Sequence, residues 1–297
     1  NHGIVMLLDW SGSMSGTVFN TIEQATLLSM FCRRLSIPFR LYAFSDSYNT
    51  RSLLPEELLD RYNGCEYGSD EYEQVQKEIN DFHKTRLFGQ TVDSDLNVGS
   101  LSLLEIYTDQ MNKMEFTTAM ENWFQLGKTI DWDYNDSSSW DIDFRIPSGF
   151  HLGGTPLDHS LVVMRDYLKD FKRDHGLDIT TLVTLTDGSS HRCLHGKANL
   201  VDRKINRVFK MHSGITTHSL LEWIKETADC NTVGFYISND KATNVVYSGN
   251  LFCGTKADMW GDEYDKHRKE FLNLSTSFTD GCYDLAILIN QKKLKLN

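Results

Sequence analysis

The chain has 297 residues, 30 basic and 41 acidic side chains, a formal charge of −11 and 40% apolar residues. That balance describes a folded chain with a substantial core and disfavours general attraction to nucleic acid. No stretch approaches the roughly 20 apolar residues of a membrane span, and no secretory signal opens the chain.

Six scattered cysteines, Cys32, Cys65, Cys193, Cys230, Cys253 and Cys282, lack paired ligand spacing and read as free thiols of a reducing, cytoplasmic compartment. Ile4-Val5-Met6-Leu7-Leu8 is apolar without alternation, which predicts a strand buried on both faces in a parallel sheet. It delivers Asp9-Trp10-Ser11-Gly12-Ser13 to the carboxyl edge, where open α/β sheets bind ligands. Asp9, Ser11 and Ser13 alternate, and Gly12 gives the backbone freedom for a turn that gathers their oxygens. Alone the pattern is weak, because Asp, Ser and Gly are ordinary turn formers.

From Thr17 to about Leu35 the periodicity predicts a helix, with Val18, Ile22, Ala25, Leu28 and Phe31 on one face. Its second face is also apolar, as expected of a helix lying close against a sheet. Beyond the break at Pro38, residues 39–44 read as the next strand. Ser45, Asp46 and Ser47 at its exit form either a polar turn or the rim of the first motif.

Residues 48–151 differ in texture and read as a mainly helical insertion within one enlarged domain spanning 1–297. Ser69 is a candidate cap for a helix carrying Tyr72, Val75, Ile79 and Phe82. A longer helix is expected from about Ser102 to Phe124. Five aspartates and no basic residue lie between Asp131 and Asp143, as a solvated covering loop or a docking surface for a basic partner.

Gly153-Gly154-Thr155-Pro156-Leu157 opens the next helix, with Pro156 suited to its first turn. Residues 179–185 form a β-prone run that ends at Thr186-Asp187-Gly188, a second carboxylate at a strand exit. His191, Cys193 and His195 alternate, but without a fourth soft ligand they read as a polar loop rather than a zinc site. A basic helix around 202–212, a helix around 219–229, a strand over 232–237, a helix over 256–272 and an edge strand over 283–289 complete the expected order.

Taken together, Asp9, Ser11 and Ser13, then Thr155, then Asp187 resemble the metal-ion-dependent adhesion site (MIDAS) of von Willebrand factor A (VWA) domains, matching all five positions by residue type. The resemblance spans about 4–47 and 153–237. It implies an α/β, Rossmann-like doubly wound, mostly parallel sheet carrying the helical insertion. It also implies a magnesium ion, with manganese or calcium as substitutes. Ser11 and Ser13 would bind the metal directly, Thr155 would join in the ligand-engaged arrangement, and Asp9 and Asp187 would act mainly through waters. A protein partner's Asp or Glu would complete the shell.

Within that family the chain looks similar to the CobT-like subunit of aerobic cobaltochelatase and its bacteriophage relatives. This implies a non-catalytic adaptor for a CobS-like AAA+ ATPase. A phage structural or adhesion module using the same metal, and an RNA-binding accessory, remain as alternatives. No Ser-His-Asp order, Cys-His nucleophile pair or Gly-Lys-Ser/Thr phosphate loop stands in the sequence.

Overall fold

A computed structural model describes residues 1–46, 55–86, 101–135, 146–147, 150–187, 190, 199–209, 216–238, 275–278 and 283–290. It is a mixed α/β fold built on a seven-stranded sheet. The strands are β1 (His2–Asp9), β2 (Phe39–Ser45), β3 (Ser102–Thr108), β4 (Ile179–Thr186), β5 (Leu200–Asp202), β6 (Arg207–Phe209), β7 (Asn231–Ser238), β8 (Ser275–Phe278) and β9 (Leu285–Asn290). The helices are α1 (Val18–Arg34), α2 (Glu56–Gly64), α3 (Asp70–Arg86), α4 (Lys113–Asn135), α5 (Leu157–Asp174) and α6 (Thr216–Ala228). Strand order is β3-β2-β1-β4-β7-β9-β8, and β5 pairs with β6 in a separate two-stranded sheet. The pairs β2–β1, β1–β4, β4–β7 and β7–β9 are parallel, while β3 and β8 close the two edges antiparallel.

The unalternated run of β1 is explained by burial on both sides. Val5 and Leu7 join Leu161, Leu168, Leu220 and Ile224 in a core beneath α5 and α6. Met6 and Leu8 point the other way, with Val18, Ile22, Phe39, Leu41 and Trp123 under α1 and α4. A central strand with helices on both faces has no solvated side, so residues 4–8 along its middle are all apolar.

The structure differs from the sequence expectations in four places. Residues 102–108 form the edge strand β3, not the start of a helix; Ile106 and Tyr107 are buried against β2. The helix begins only after Asn112, where the Asn112 Oδ1 accepts from the backbone N–H of Met114 and Glu115, while Glu115 Oε2 accepts from Asn112 N–H. This reciprocal capping box fixes the start of α4.

The expected basic helix near 202–212 is instead the β5–β6 hairpin, turned by Asn206 at φ 52° and by Asp202 Oδ1 accepting from Lys204 N–H. The last strand, β9, is interior, and β8 takes the edge. The second apolar face of α1 does not meet the sheet, with Leu27, Met30 and Leu35 about half exposed, and Phe31, expected on the packed face, turns out with them.

Ser69 does cap α3, its Oγ accepting from Tyr72 N–H at 3.1 Å. Expectations placed on Ser47, His191, Cys193, His195, the acidic stretch beyond Asn135 and the helix over 256–272 fall outside the described residues. Among the described residues, no helix is long and apolar enough to cross a membrane.

Candidate functional site

Leaving β1, the chain pairs β2 on one side of it; β4 then pairs on the other side. Adjacent connections therefore diverge at the carboxyl ends of β1 and β4, a topological switch point. In open α/β sheets this is where ligands bind. Asp9 ends β1, and Asp187 follows Thr186, the last residue of β4.

Asp9 is fully buried. Its Oδ2 accepts from Thr186 Oγ1 at 2.6 Å. Its Oδ1 is also buried and has no hydrogen-bond partner among the described residues. Burial pushes this carboxyl up to about 7; the hydroxyls of Thr186 and Ser11 and the Asp187 backbone oppose the rise, and the negative charge of Asp187 adds to it. Burial raises Asp187 as well, against the Ser13 hydroxyl and its own backbone.

A chain of hydroxyls links the two strand ends. Ser11 Oγ lies 3.0 Å from Ser13 Oγ, and Ser13 Oγ donates to Asp187 Oδ1 at 2.8 Å. Ser11 and Thr155 are buried, Asp187 is half-buried and Ser13 is exposed, so the polar cluster grades from the core to solvent.

Two loops are tied together to hold this arrangement. Gly12 N–H donates to Gly153 O at 2.7 Å, and Gly153 N–H donates to Trp10 O at 3.1 Å. This pairing carries Thr155 alongside the Ser11 turn. Asp46, at the exit of β2, accepts from Gly154 N–H and pins the same loop. Trp10 is buried edge-on against Trp123, with ring centroids 5.1 Å apart, and donates from Nε1 to Phe150 O at 2.9 Å.

Of the five residues singled out from the sequence, Ser11, Ser13 and Asp187 are joined by direct hydrogen bonds. Asp9 is bonded to Thr186 and lies close enough to the Ser11 hydroxyl and the Asp187 backbone to be influenced by both, and Thr155 stands on the loop bonded to the Ser11 turn. The sequence reading passed over Thr186, although its place beside Asp187 at the strand end was the available signal. The role of Asp46 was left between turn and rim; it is a loop tether.

The expectation of a metal centre is corrected. Among the described residues, no group of three or more His, Cys, Asp or Glu side chains is placed to hold a metal ion. The crevice offers two carboxylates, and each already accepts a hydrogen bond from a hydroxyl. Neither magnesium nor its manganese or calcium substitutes is therefore supported as a cofactor. The partner Asp or Glu expected to complete the metal shell, and a CobS-like AAA+ ATPase as that partner, fall with it.

No family model matches the chain, and no curated protein matches it. Among solved structures, it is similar to the pilus adhesin SpaC from Lactobacillus rhamnosus GG in an open conformation, at 10% identity and a TM-score of 0.40 over 92% of this chain. The chain spans 30% of that adhesin's length. A likeness this distant carries no functional inference.

The resemblance to VWA domains, and to CobT-like proteins within them, is corrected on the same findings. Its adaptor reading and the two alternatives, a metal-using phage module and an RNA-binding accessory, go with it. Asp, Ser, Thr and Gly at strand exits also serve local turn hydrogen bonding, and here much of their capacity is used that way.

Proposed function

We propose that this chain is a ligand-binding domain whose site is the crevice at the carboxyl ends of β1 and β4. Asp9, Ser11, Ser13, Thr155 and Asp187 form it, and the group they receive is a positively charged hydrogen-bond donor, such as an ammonium or guanidinium. The observation that carries this reading is the fully buried Asp9, whose Oδ1 has no partner among the described residues. An unmet buried acceptor costs about 1–3 kcal/mol, more when charged, and an incoming donor removes that cost. Asp187 adds a second carboxylate, and the hydroxyls add acceptors toward the solvent side.

The finer architecture belongs to the same reading: a Rossmann-like doubly wound sheet in one enlarged domain, 1–297, with 48–151 inserted. The parallel centre and the helices on both faces support the first part. Within 48–151, β3 pairs with β2, and Trp123 of α4 enters the core beside α1, which supports one domain rather than two. Free thiols at Cys32, Cys65 and Cys230 support a reducing, cytoplasmic setting.

Thermal unfolding with methylammonium chloride, against sodium chloride of equal ionic strength, tests the reading. The midpoint is expected to rise with methylammonium in the native chain and to stay unchanged in Asp187→Asn. No rise, or a rise produced only by a divalent metal ion, overturns it.

A further inference from the structure

The stretch Asn20 to Leu35, which is α1 with its C-cap residue, shows two opposite stripes. Thr21, Ile22, Ala25, Thr26, Ser29 and Cys32 are buried, whereas Asn20, Glu23, Gln24, Leu27, Met30, Phe31, Arg34 and Leu35 are exposed. The exposed positions recur every three or four residues, so they form a continuous strip along the helix. Its centre is apolar: Leu27 is 55% exposed, Met30 48% and Phe31 54%, while Leu35, 55% exposed, follows Arg34 at the C-cap. A surface helix that only faced water would carry polar side chains there. The strip is bounded by an acidic residue, Glu23, on its N-terminal side and a basic one, Arg34, within its last turn.

Neighbouring Arg33 is occupied. Its guanidinium stacks over Phe116 at 4.5 Å, and its Nη1 donates to Met111 O at 2.7 Å. Arg34 is exposed, and no ion pair joins it or Glu23 to another described residue.

We propose that this strip pairs with the same strip of a second copy of the chain, the two α1 helices running antiparallel. The order acid, apolar, base is self-complementary only in that direction. A two-fold axis between residues 28 and 29 sets Glu23 against Arg34 of the other copy at both ends, and Leu27 against Met30 in the middle. Parallel pairing would set Glu23 beside Glu23 and Arg34 beside Arg34. An interface of this kind is isologous, and the antiparallel helix dipoles favour it.

The apolar centre is on the order of 400 Å² per copy, within the size of an ordinary functional patch. That is below the roughly 800 Å² per partner of a standard stable interface, so the dimer forms reversibly with concentration.

Sedimentation velocity over a concentration series tests the proposal. The native chain is expected to move from monomer to dimer as concentration rises, and Leu27→Glu to remain monomeric with an unchanged far-ultraviolet circular dichroism spectrum. Glu23→Arg alone is expected to weaken association about tenfold, since two exposed ion pairs become repulsions. The double variant Glu23→Arg with Arg34→Glu is expected to restore it. A native chain that is monomeric throughout, a dimer that survives Leu27→Glu, or a double variant no tighter than Glu23→Arg overturns the proposal.

Discussion

Thr186 Oγ1 donates to Asp9 Oδ2 at 2.6 Å, joining the last residues of two parallel strands that lie side by side. The register sets this contact: Leu8 pairs with Leu185, so Asp9 and Thr186 are the next residues along each strand. One carboxylate oxygen is thereby satisfied inside the protein while the other is not, and the fold fixes the difference. The crevice follows from strand order, and its chemistry follows from this one unequal carboxylate.

Asp9 makes stability depend on pH. Its folded carboxyl sits at about 7 against an ordinary 3.8, because burial penalises the charged form. The fold thus favours the protonated group. Its contribution is fully present below about pH 4 and is lost as pH rises toward 7. Between pH 5 and pH 8 the unliganded native chain is expected to lose about 2–3 kcal/mol through this group. Asp9→Asn, which cannot ionise, should flatten that slope and be the more stable of the two at pH 8. Urea unfolding at both pH values checks it; equal slopes in the two proteins would contradict it.

Asp46 acts on the site through the Gly154 loop. Asp46→Ala removes the acceptor for Gly154 N–H and leaves the sheet untouched. It is expected to speed hydrogen exchange at Gly153, Gly154 and Thr155, with a stability loss of about 1–2 kcal/mol. Exchange that accelerates equally across β1 and β4 would show a general loss of structure instead.

The central strands were readable in the sequence because burial on both faces leaves an unmistakable apolar run, as in residues 4–8. The ends of the chain's middle portion were harder to read. Residues 102–108 hold four apolar positions, Leu103, Leu104, Ile106 and Tyr107, whose spacing fits either a short strand or a helical turn, and pairing with β2 decides between them. The Asn112 to Glu115 capping pair was the local signal that would have moved the helix start.

At the site, hydrogen bonds join Ser11, Ser13 and Asp187, and Asp9 ends the neighbouring strand. Residue types alone did not reveal that the hydroxyls of Ser13 and Thr186 donate to the two carboxylates, which the placement of the β1 and β4 ends decides. The exposed strip of α1 was misread for a related reason. A second apolar face looks the same in sequence whether it meets a sheet or a partner.

Gly234 is required for packing. A Cβ there would come within 2.7 Å of Tyr283 Cδ2, and the ring cannot withdraw freely, because it is buried and its hydroxyl accepts from Thr184 Oγ1 at 2.8 Å. Gly234→Ala is expected to destabilise the chain by about 1–3 kcal/mol by overpacking. Pairing it with Tyr283→Ala should relieve the clash, so the two losses are expected to sum to less than additive in denaturant unfolding. Additive losses would place the cost elsewhere.

The central claim is that the crevice between β1 and β4 receives a cationic donor, and amide chemical-shift mapping at pH 8 during a methylammonium titration tests it most directly. Saturable shifts are expected at Trp10, Ser11, Gly12, Ser13, Thr155 and Asp187, weakening at pH 6 as Asp9 takes up its proton and vanishing in Asp9→Asn. Shifts scattered over the acidic surface without saturation, or a crevice that responds only to a divalent metal ion, would contradict the account.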